Sequence, residues 1–206
     1  ICGTSAGGHL SMLYSYSHSH ILPLRFTAVK VGPADMRILF PYDGNAKAED
    51  IENFVFGCTG ERINASSLTP EQLDGIKLKV SPVRYINDST ALPAIFAYGE
   101  KDWVVKPEHY RALQAKYDSL GKPYDLIVFP NSSHSLADDK DCTMRYDSIM
   151  GVYCKKYFGY WHSRNFAFGT FAKTQSNGFQ KNVEQILQIF IKNLLQKLLK
   201  NHIIII

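Results

Sequence analysis

A serine flanked by small residues stands near the beginning of the chain, in the run Gly3-Thr4-Ser5-Ala6-Gly7. This G-x-S-x-G spacing is typical of a nucleophile elbow, in which a serine occupies a strained turn between a strand and a helix. The flanking small residues let neighbouring backbone pass where a Cβ would clash. The motif alone also fits an ordinary glycine- and serine-rich loop, so its meaning depends on partners elsewhere in the chain.

Two further residues could complete the chemistry of Ser5. A serine hydroxyl becomes an effective nucleophile when a histidine accepts its proton and a carboxylate orients that histidine. In an elbow-bearing fold these partners follow in the order serine, acid, histidine, and we expect each just after a strand. Asp102 follows the predicted strand 94–98, and His134 follows the predicted strand 125–129. Both residues therefore match the required order and context.

Other residues near these positions have competing interpretations. Asp35 follows an earlier predicted strand and is an alternative orienting acid, whereas Glu100 is best explained as a surface carboxylate. His9 lies in the turn after the serine, where it could contact substrate or make a structural hydrogen bond. Trp103 directly follows the predicted acid and could line a substrate pocket or simply pack against the protein. Three further histidines have no partner at catalytic spacing and are expected at the surface: His18, His20 and His109.

No pattern in the chain predicts a metal site. An acidic cluster close to the predicted catalytic histidine is formed by Asp138, Asp139 and Asp141. The cluster lacks the glycine and terminal glutamate of an EF-hand loop, so we interpret it as a solvated entry into a helix. The four cysteines show no CxxC and no spacing matched to histidines, which favours scattered reduced thiols over zinc ligands.

The elements that must position these residues form an alternating pattern. Runs rich in β-formers at 26–31, 94–98 and 125–129 are each followed by a glycine or proline. Residues 107–120 have helical periodicity with a proline near the start and a glycine after the end. The order strand, helix, strand predicts a βαβ unit and hence a parallel sheet. A closing helix is predicted over 146–158, and residues 33–80 are predicted to form a helical cap or insertion.

The charge is divided unevenly along the 206 residues. The chain has 23 Lys+Arg and 19 Asp+Glu, net +4, but residues 1–160 hold 17 and 18, and residues 161–206 hold 6 and 1. The basic excess therefore lies in the tail and does not argue for nucleic acid or another acidic partner. With 45% hydrophobic and 13% aromatic residues, the composition excludes a disordered chain.

The tail 161–206 is predicted to contain an amphipathic helix over 183–199. Such a helix could lie on a membrane surface, bind a partner or pack on a core. A non-native extension is the interpretation that we favour, because the composition changes abruptly after 160. No window is apolar and long enough to predict a transmembrane helix, so membrane association is not expected.

The run Gly3-Thr4-Ser5-Ala6-Gly7-Gly8-His9-Leu10, together with segments 98–102 and 133–134, resembles the α/β-hydrolase serine esterases. The form G-x-S-A-G-G-H-L is most similar to small microbial carboxylesterases of the acetyl-esterase type and their feruloyl-esterase-like relatives. The resemblance covers residues 1–160 and implies the C-terminal part of an α/β-hydrolase fold, a mostly parallel sheet flanked by helices. It implies Ser5 as nucleophile, Asp102 as orienting acid, His134 as general base and the Ala6 N–H as an oxyanion-hole donor.

The same resemblance implies hydrolysis of short-chain acyl esters, such as acetyl esters, with no cofactor. A small-molecule ester is then the expected partner, and the oligomeric state is left open. A serine peptidase of the prolyl-oligopeptidase type is the first alternative, because it shares the sheet and the triad order. A noncatalytic fragment that binds a membrane or partner through the tail is the second.

A further expectation concerns the oxyanion-hole residues upstream of the G-x-S-x-G motif. A second oxyanion donor normally comes from a His-Gly-Gly-type loop upstream, and none precedes Ile1. We therefore expect an N-terminally truncated domain with weak activity at best. A cytoplasmic location is slightly favoured, although this start leaves a signal peptide open.

Overall fold

The computed structural model describes residues 1–18, 23–39 and 47–159. Its centre is a four-stranded sheet in which every neighbouring pair of strands is parallel. The strands lie side by side in chain order: β1 Cys2–Thr4, β2 Thr27–Lys30, β3 Ala94–Gly99 and β4 Tyr124–Phe129. The predicted parallel βαβ unit is confirmed, because β3 and β4 pair in parallel and the helix Glu108–Leu120 lies between them in the chain.

Helices fill the connections between these strands, and one helix follows the last strand. They are α1 Ala6–Ser17, α2 Met36–Leu39, α3 Ala48–Thr59, α4 Pro70–Lys79, α5 Glu108–Leu120 and α6 Lys140–Phe158. Short 3-10 turns occupy Ala65–Ser67 and Pro82–Tyr85. The regular elements described between β2 and β3 are all helical, in agreement with the weak strand signal there. Helix α6 begins six residues before the predicted start at Tyr146, because its first turns lack the apolar periodicity on which that prediction depended.

Continuous apolar runs form the inner strands because a parallel sheet is covered on both faces. All six residues of β3 are buried. Successive side chains of a strand point to opposite faces, so Phe96 and Tyr98 pack in one core cluster, and Ile95 and Ala97 pack in another. The first cluster includes Met12 and other residues of α1 and α5, and the second includes residues of α6.

Polar groups in the first cluster are hydrogen-bonded to one another. The hydroxyls of Tyr16 and Tyr117 lie 2.9 Å apart, and the Tyr117 hydroxyl donates to the carbonyl of Leu92 at 2.8 Å. Because a buried hydroxyl without a partner is costly, these bonds let two large aromatic side chains fill the space between α1 and α5.

The predicted amphipathic helix and the rest of the tail 161–206 lie outside the described residues, as does His20. Within the residues that the structure describes, no helix is long and apolar enough to cross a membrane.

Candidate active site

Ser5 occupies a sharp turn between β1 and α1. Its backbone dihedrals are φ 53° and ψ −123°, and its N–H donates to the Lys30 carbonyl on β2 at 2.9 Å. A non-glycine residue at positive φ costs about 1–3 kcal/mol and persists only where its surroundings hold it. This strand–turn–helix context is the one that the G-x-S-x-G motif requires.

The two glycines of the motif differ in what they do. A Cβ on Gly3 would lie 2.2 Å from the carbonyl oxygen of Gly7, so only glycine fits at position 3. A Cβ on Gly7 would meet nothing within 4 Å. The expectation that both flanking residues must be small for close approach is therefore confirmed for the first glycine and wrong for the second.

The structure brings Ser5, His134 and Asp102 into contact from positions far apart in the chain. The Nε2 atom of His134 lies 2.9 Å from Ser5 Oγ, and its Nδ1 atom lies 2.8 Å from Asp102 Oδ2. Because a carboxylate can only accept, Nδ1 carries the proton, which leaves Nε2 free to accept from the serine hydroxyl. Each residue follows the carboxyl end of a parallel strand, and these ends meet at one edge of the sheet.

Asp102 is held by backbone donors as well as by the histidine. Its side chain is fully buried, and Oδ1 accepts from the N–H groups of Val104 at 2.8 Å and Val105 at 2.9 Å. Since Oδ2 faces the imidazole, both carboxylate oxygens have donors. A buried carboxylate satisfied in this way is fixed in orientation.

Backbone contacts hold the loop of Asp102 against the loop of His134. The N–H of Lys101 donates to the Ser132 carbonyl at 3.1 Å, and the N–H of Glu100 donates to the Phe129 carbonyl at 2.9 Å. The loops approach so closely that a Cβ on Gly99 would lie 2.5 Å from the Ser132 carbonyl oxygen. Main-chain hydrogen bonds therefore hold the two loops together, close to the acid and the histidine.

The alternative acid, Asp35, has other partners. It accepts from Arg37 Nη2 at 2.6 Å and Arg37 Nε at 3.0 Å, and Ser81 Oγ lies 3.4 Å away. Burial opposes ionisation, but the bonds from Arg37 and Ser81 outweigh it and hold the pKa of Asp35 below its usual value. Glu100 lies at the surface, as expected, and pairs with Arg111 at 2.8 Å.

The two residues proposed to contact substrate have different environments. His9 Nδ1 donates to the Pro33 carbonyl at 2.9 Å, which is the structural hydrogen bond that the sequence left open. Burial lowers the pKa of His9, and the bond to Pro33 partly offsets this effect. Trp103 is 78% exposed, so simple packing does not explain it. Ala6 is the first residue of α1, where a backbone N–H has no acceptor within the helix.

The sequence-based prediction that His109 lies at the surface is wrong. It is fully buried, and its Nδ1 accepts from the N–H groups of Ala34 at 3.1 Å and Asp35 at 3.3 Å. Burial lowers the pKa of His109 to about 4. The neutral ring thus holds the loop after β2. Its position on the apolar face of α5, with Tyr110, Leu113 and Tyr117, was the available signal.

The acidic cluster is also more than a solvated helix entry. Asp139 accepts hydrogen bonds from the N–H of Asn131 and the hydroxyl of Ser132, in the segment that leads to His134. Among the described residues, no group of three or more His, Cys, Asp or Glu side chains is placed to hold a metal ion.

No protein-family model and no curated protein matches the chain. Similar solved structures include a puromycin-hydrolyzing peptidase of Mycobacterium tuberculosis, at 18% identity and TM-score 0.56. Others are a truncated form of a carbohydrate esterase from gut microbiota, at 17% and 0.54, and an acylaminoacyl peptidase of Pyrococcus horikoshii, at 18% and 0.56.

These matches cover 76%, 75% and 84% of this chain but only 22%, 59% and 26% of those structures, respectively. The chain therefore spans less than two thirds of the length of these neighbours. At such low identity the likeness is one of fold. The described residues form a parallel sheet flanked by helices, which matches the α/β-hydrolase fold of these neighbours.

Proposed function

We propose that the chain carries the catalytic triad of a serine hydrolase that cleaves carboxylic acyl bonds. Ser5 is the nucleophile, His134 the general base and Asp102 the orienting acid. The observation that carries the proposal is the continuous path from Ser5 Oγ through the imidazole to a buried carboxylate, with hydrogen bonds of 2.9 and 2.8 Å. The strained backbone of Ser5 supports it, because such strain concentrates at functional sites.

The reaction follows from the directions of these hydrogen bonds. Nε2 of His134 takes the hydroxyl proton as Oγ attacks the acyl carbon, and the imidazolium that forms is stabilised by Asp102. The tetrahedral intermediate collapses when the imidazolium returns the proton to the leaving group. Water, deprotonated by the same imidazole, then attacks the acyl-enzyme and releases the acid and free Ser5.

The negative oxygen of the intermediate needs donors that are in place before it forms. We assign one of them to the N–H of Ala6, which follows the nucleophile and starts α1. Helix N-termini favour negative charge, because their first N–H groups have no intrahelical acceptors. The positive end of α1 thus points toward the developing charge.

A carboxylic ester with a short acyl group is the substrate class that we favour. The G-x-S-A-G-G-H-L run is similar to acetyl-type carboxylesterases, and a carbohydrate esterase is among the structural neighbours. A peptidase acting on acylated or amino-acyl amides is the second candidate, because two neighbours are peptidases. We assign to the exposed indole of Trp103, the residue that follows Asp102 in the chain, an apolar contact with either substrate.

A fluorophosphonate probe tests the nucleophile, because it reacts with activated serines irrespective of the substrate. We expect wild type to be labelled at Ser5 and Ser5→Ala to be unlabelled. Ser119→Ala, at an exposed serine on α5, should be labelled like wild type. Equal labelling of wild type and Ser5→Ala would refute the proposal. If Ser5 is labelled, the relative turnover of p-nitrophenyl acetate and an N-acyl aminoacyl p-nitroanilide decides between esterase and peptidase.

A further inference from the structure

An aspartate outside the triad holds the segment that leads into His134. One oxygen of Asp139, Oδ2, accepts from the N–H of Asn131 at 2.9 Å and from the hydroxyl of Ser132 at 2.6 Å. The other oxygen, Oδ1, accepts from the side-chain amide of Asn131 at 3.0 Å. Three donors from two consecutive residues therefore meet on one carboxylate, within three residues of the catalytic histidine.

The position of Asp139 in α6 makes these contacts unexpected. It is the N-cap residue of the helix, where an aspartate ordinarily accepts from the N–H groups of its own first turn. Here the side chain makes no capping bond and turns instead to the loop after β4. Burial opposes ionisation, but the bonds from Ser132 and Asn131 outweigh it and lower the pKa of Asp139. The ionised carboxylate therefore accepts hydrogen bonds from the loop after β4 and does not cap its own helix.

Ser132 connects Asp139 to the loop that carries His134 and to the loop that carries Asp102. Its side chain is buried and lies between Asp139 Oδ2 and the N–H of Asp138, which donates to Ser132 Oγ at 3.1 Å. Its carbonyl accepts from Lys101, the residue before the catalytic acid. A shift of Ser132 would therefore move the histidine and loosen the acid's loop at once.

The other side of the histidine is held by packing. Leu136 adopts φ 55° and is buried in the core cluster that contains residues of β4 and α6. Its N–H donates to the carbonyl of Ser133 at 3.2 Å, which closes a tight turn around His134. Packing of Leu136 thus fixes the segment that follows His134, and the hydrogen bonds of Asp139 hold the segment that precedes it.

We infer that Asp139 is a positioning residue for the general base: its carboxylate, through Asn131 and Ser132, holds His134 at hydrogen-bonding distance from both Ser5 and Asp102. This inference rests on the proposed function. A misplacement of reacting groups by about 1 Å can cost about a hundredfold in rate, so loss of the anchor should appear chiefly in kcat.

The test compares Asp139→Asn with a matched variant, Asp141→Asn. Asparagine has almost the same shape but offers one acceptor oxygen where the carboxylate offers two, so it cannot serve all three donors. Asp141 lies in the first turn of α6 and is exposed, so its substitution removes the same charge from the same helix end without touching the loop. Amide hydrogen exchange across 131–136 reports the anchor, and the fluorophosphonate labelling rate of Ser5 reports its consequence.

We expect Asp139→Asn to exchange faster across 131–136 and to be labelled at least about tenfold more slowly, with kcat reduced and KM within about twofold of wild type. Asp141→Asn should match wild type in each measurement. A Ser132→Ala variant should show the same defect, and adding Asp139→Asn to it should reduce the labelling rate by little more, because both changes break one connection.

Three results would overturn the inference. Unchanged exchange would mean that Asp139 does not hold the loop, and faster exchange with unchanged labelling would mean that the contact is only structural. An equal loss of rate in Asp141→Asn would assign the effect to helix charge. If wild type itself is not labelled at Ser5, the proposed function is refuted, and the inference with it. This result differs from the three above, in which wild type is labelled and only the role of Asp139 is refuted.

Discussion

Asp102 contacts the imidazole of His134, whereas Asp35 contacts Arg37 and Ser81, and this contrast favours Asp102 as the proposed orienting acid. We expect Asp102→Asn to lower kcat by about 10³–10⁴-fold, because an amide nitrogen in place of Oδ2 would favour the wrong imidazole tautomer. Asp35→Asn should lower kcat far less, since its contacts are with Arg37 and Ser81. Steady-state kinetics on one ester substrate checks both variants, and a larger loss in Asp35→Asn would reverse the assignment.

An exposed indole beside the acid should affect binding more than chemistry. Trp103 is 78% exposed, so its removal creates no cavity in the core. We expect Trp103→Ala to raise KM for aryl esters by about tenfold with kcat little changed, because contact with an apolar substrate group contributes about 1–2 kcal/mol. The melting temperature should stay constant. If KM is unchanged for both aryl and alkyl esters, Trp103 lies outside the substrate site.

At the scale of elements, the turn from β1 into α1 depends on one glycine more than on the other. Gly3→Ala would place a Cβ 2.2 Å from the Gly7 carbonyl oxygen, so we expect a loss of about 1–3 kcal/mol or more in unfolding free energy. Gly7→Ala lies within α1 in open space and should stabilise the protein by up to about 1 kcal/mol. Denaturant unfolding of the two variants measures the contrast, and equal destabilisation would contradict it.

The strands, and the positions of the proposed triad residues directly after them, could be predicted from the sequence because both depend on local signals. Apolar runs ended by glycine or proline mark β3 and β4, and the residues after them carry the acid and the histidine. The contacts of Asp139 and His109 could not be predicted in this way. Each depends on which loops meet in space, and nothing near Asp139 in the chain indicates that its carboxylate faces Asn131 rather than its own helix.

At the scale of the whole molecule, stability should fall in mild acid because of His109. Its pKa is lowered from 6.5 to about 4 by burial, with Asp35, Glu108 and Asp102 opposing the shift and His9 adding to it. The unfolded chain therefore binds the proton first. The stabilising contribution is complete above pH 6.5, and up to about 3 kcal/mol is lost as the pH falls to 4.

Urea unfolding at several pH values between 7 and 4 measures this loss. In His109→Gln, an amide oxygen can still accept from the backbone of the loop after β2, and the titrating group is gone. We expect the unfolding free energy of this variant to depend less steeply on pH than that of wild type. His9→Gln is the matched control, because it removes a neighbouring, partly buried histidine and should keep most of the wild-type slope. Parallel slopes for wild type and His109→Gln would contradict the prediction.

The proposed catalytic role of Ser5 and the stability of the protein make opposite demands on the backbone at this position. Glycine adopts positive φ at little cost, so Ser5→Gly should melt at a higher temperature than wild type while losing all activity that depends on the hydroxyl. The positive φ of Ser5 thus has a cost in stability that the proposed role of the hydroxyl accounts for, and a residue without that role would have no reason to bear it.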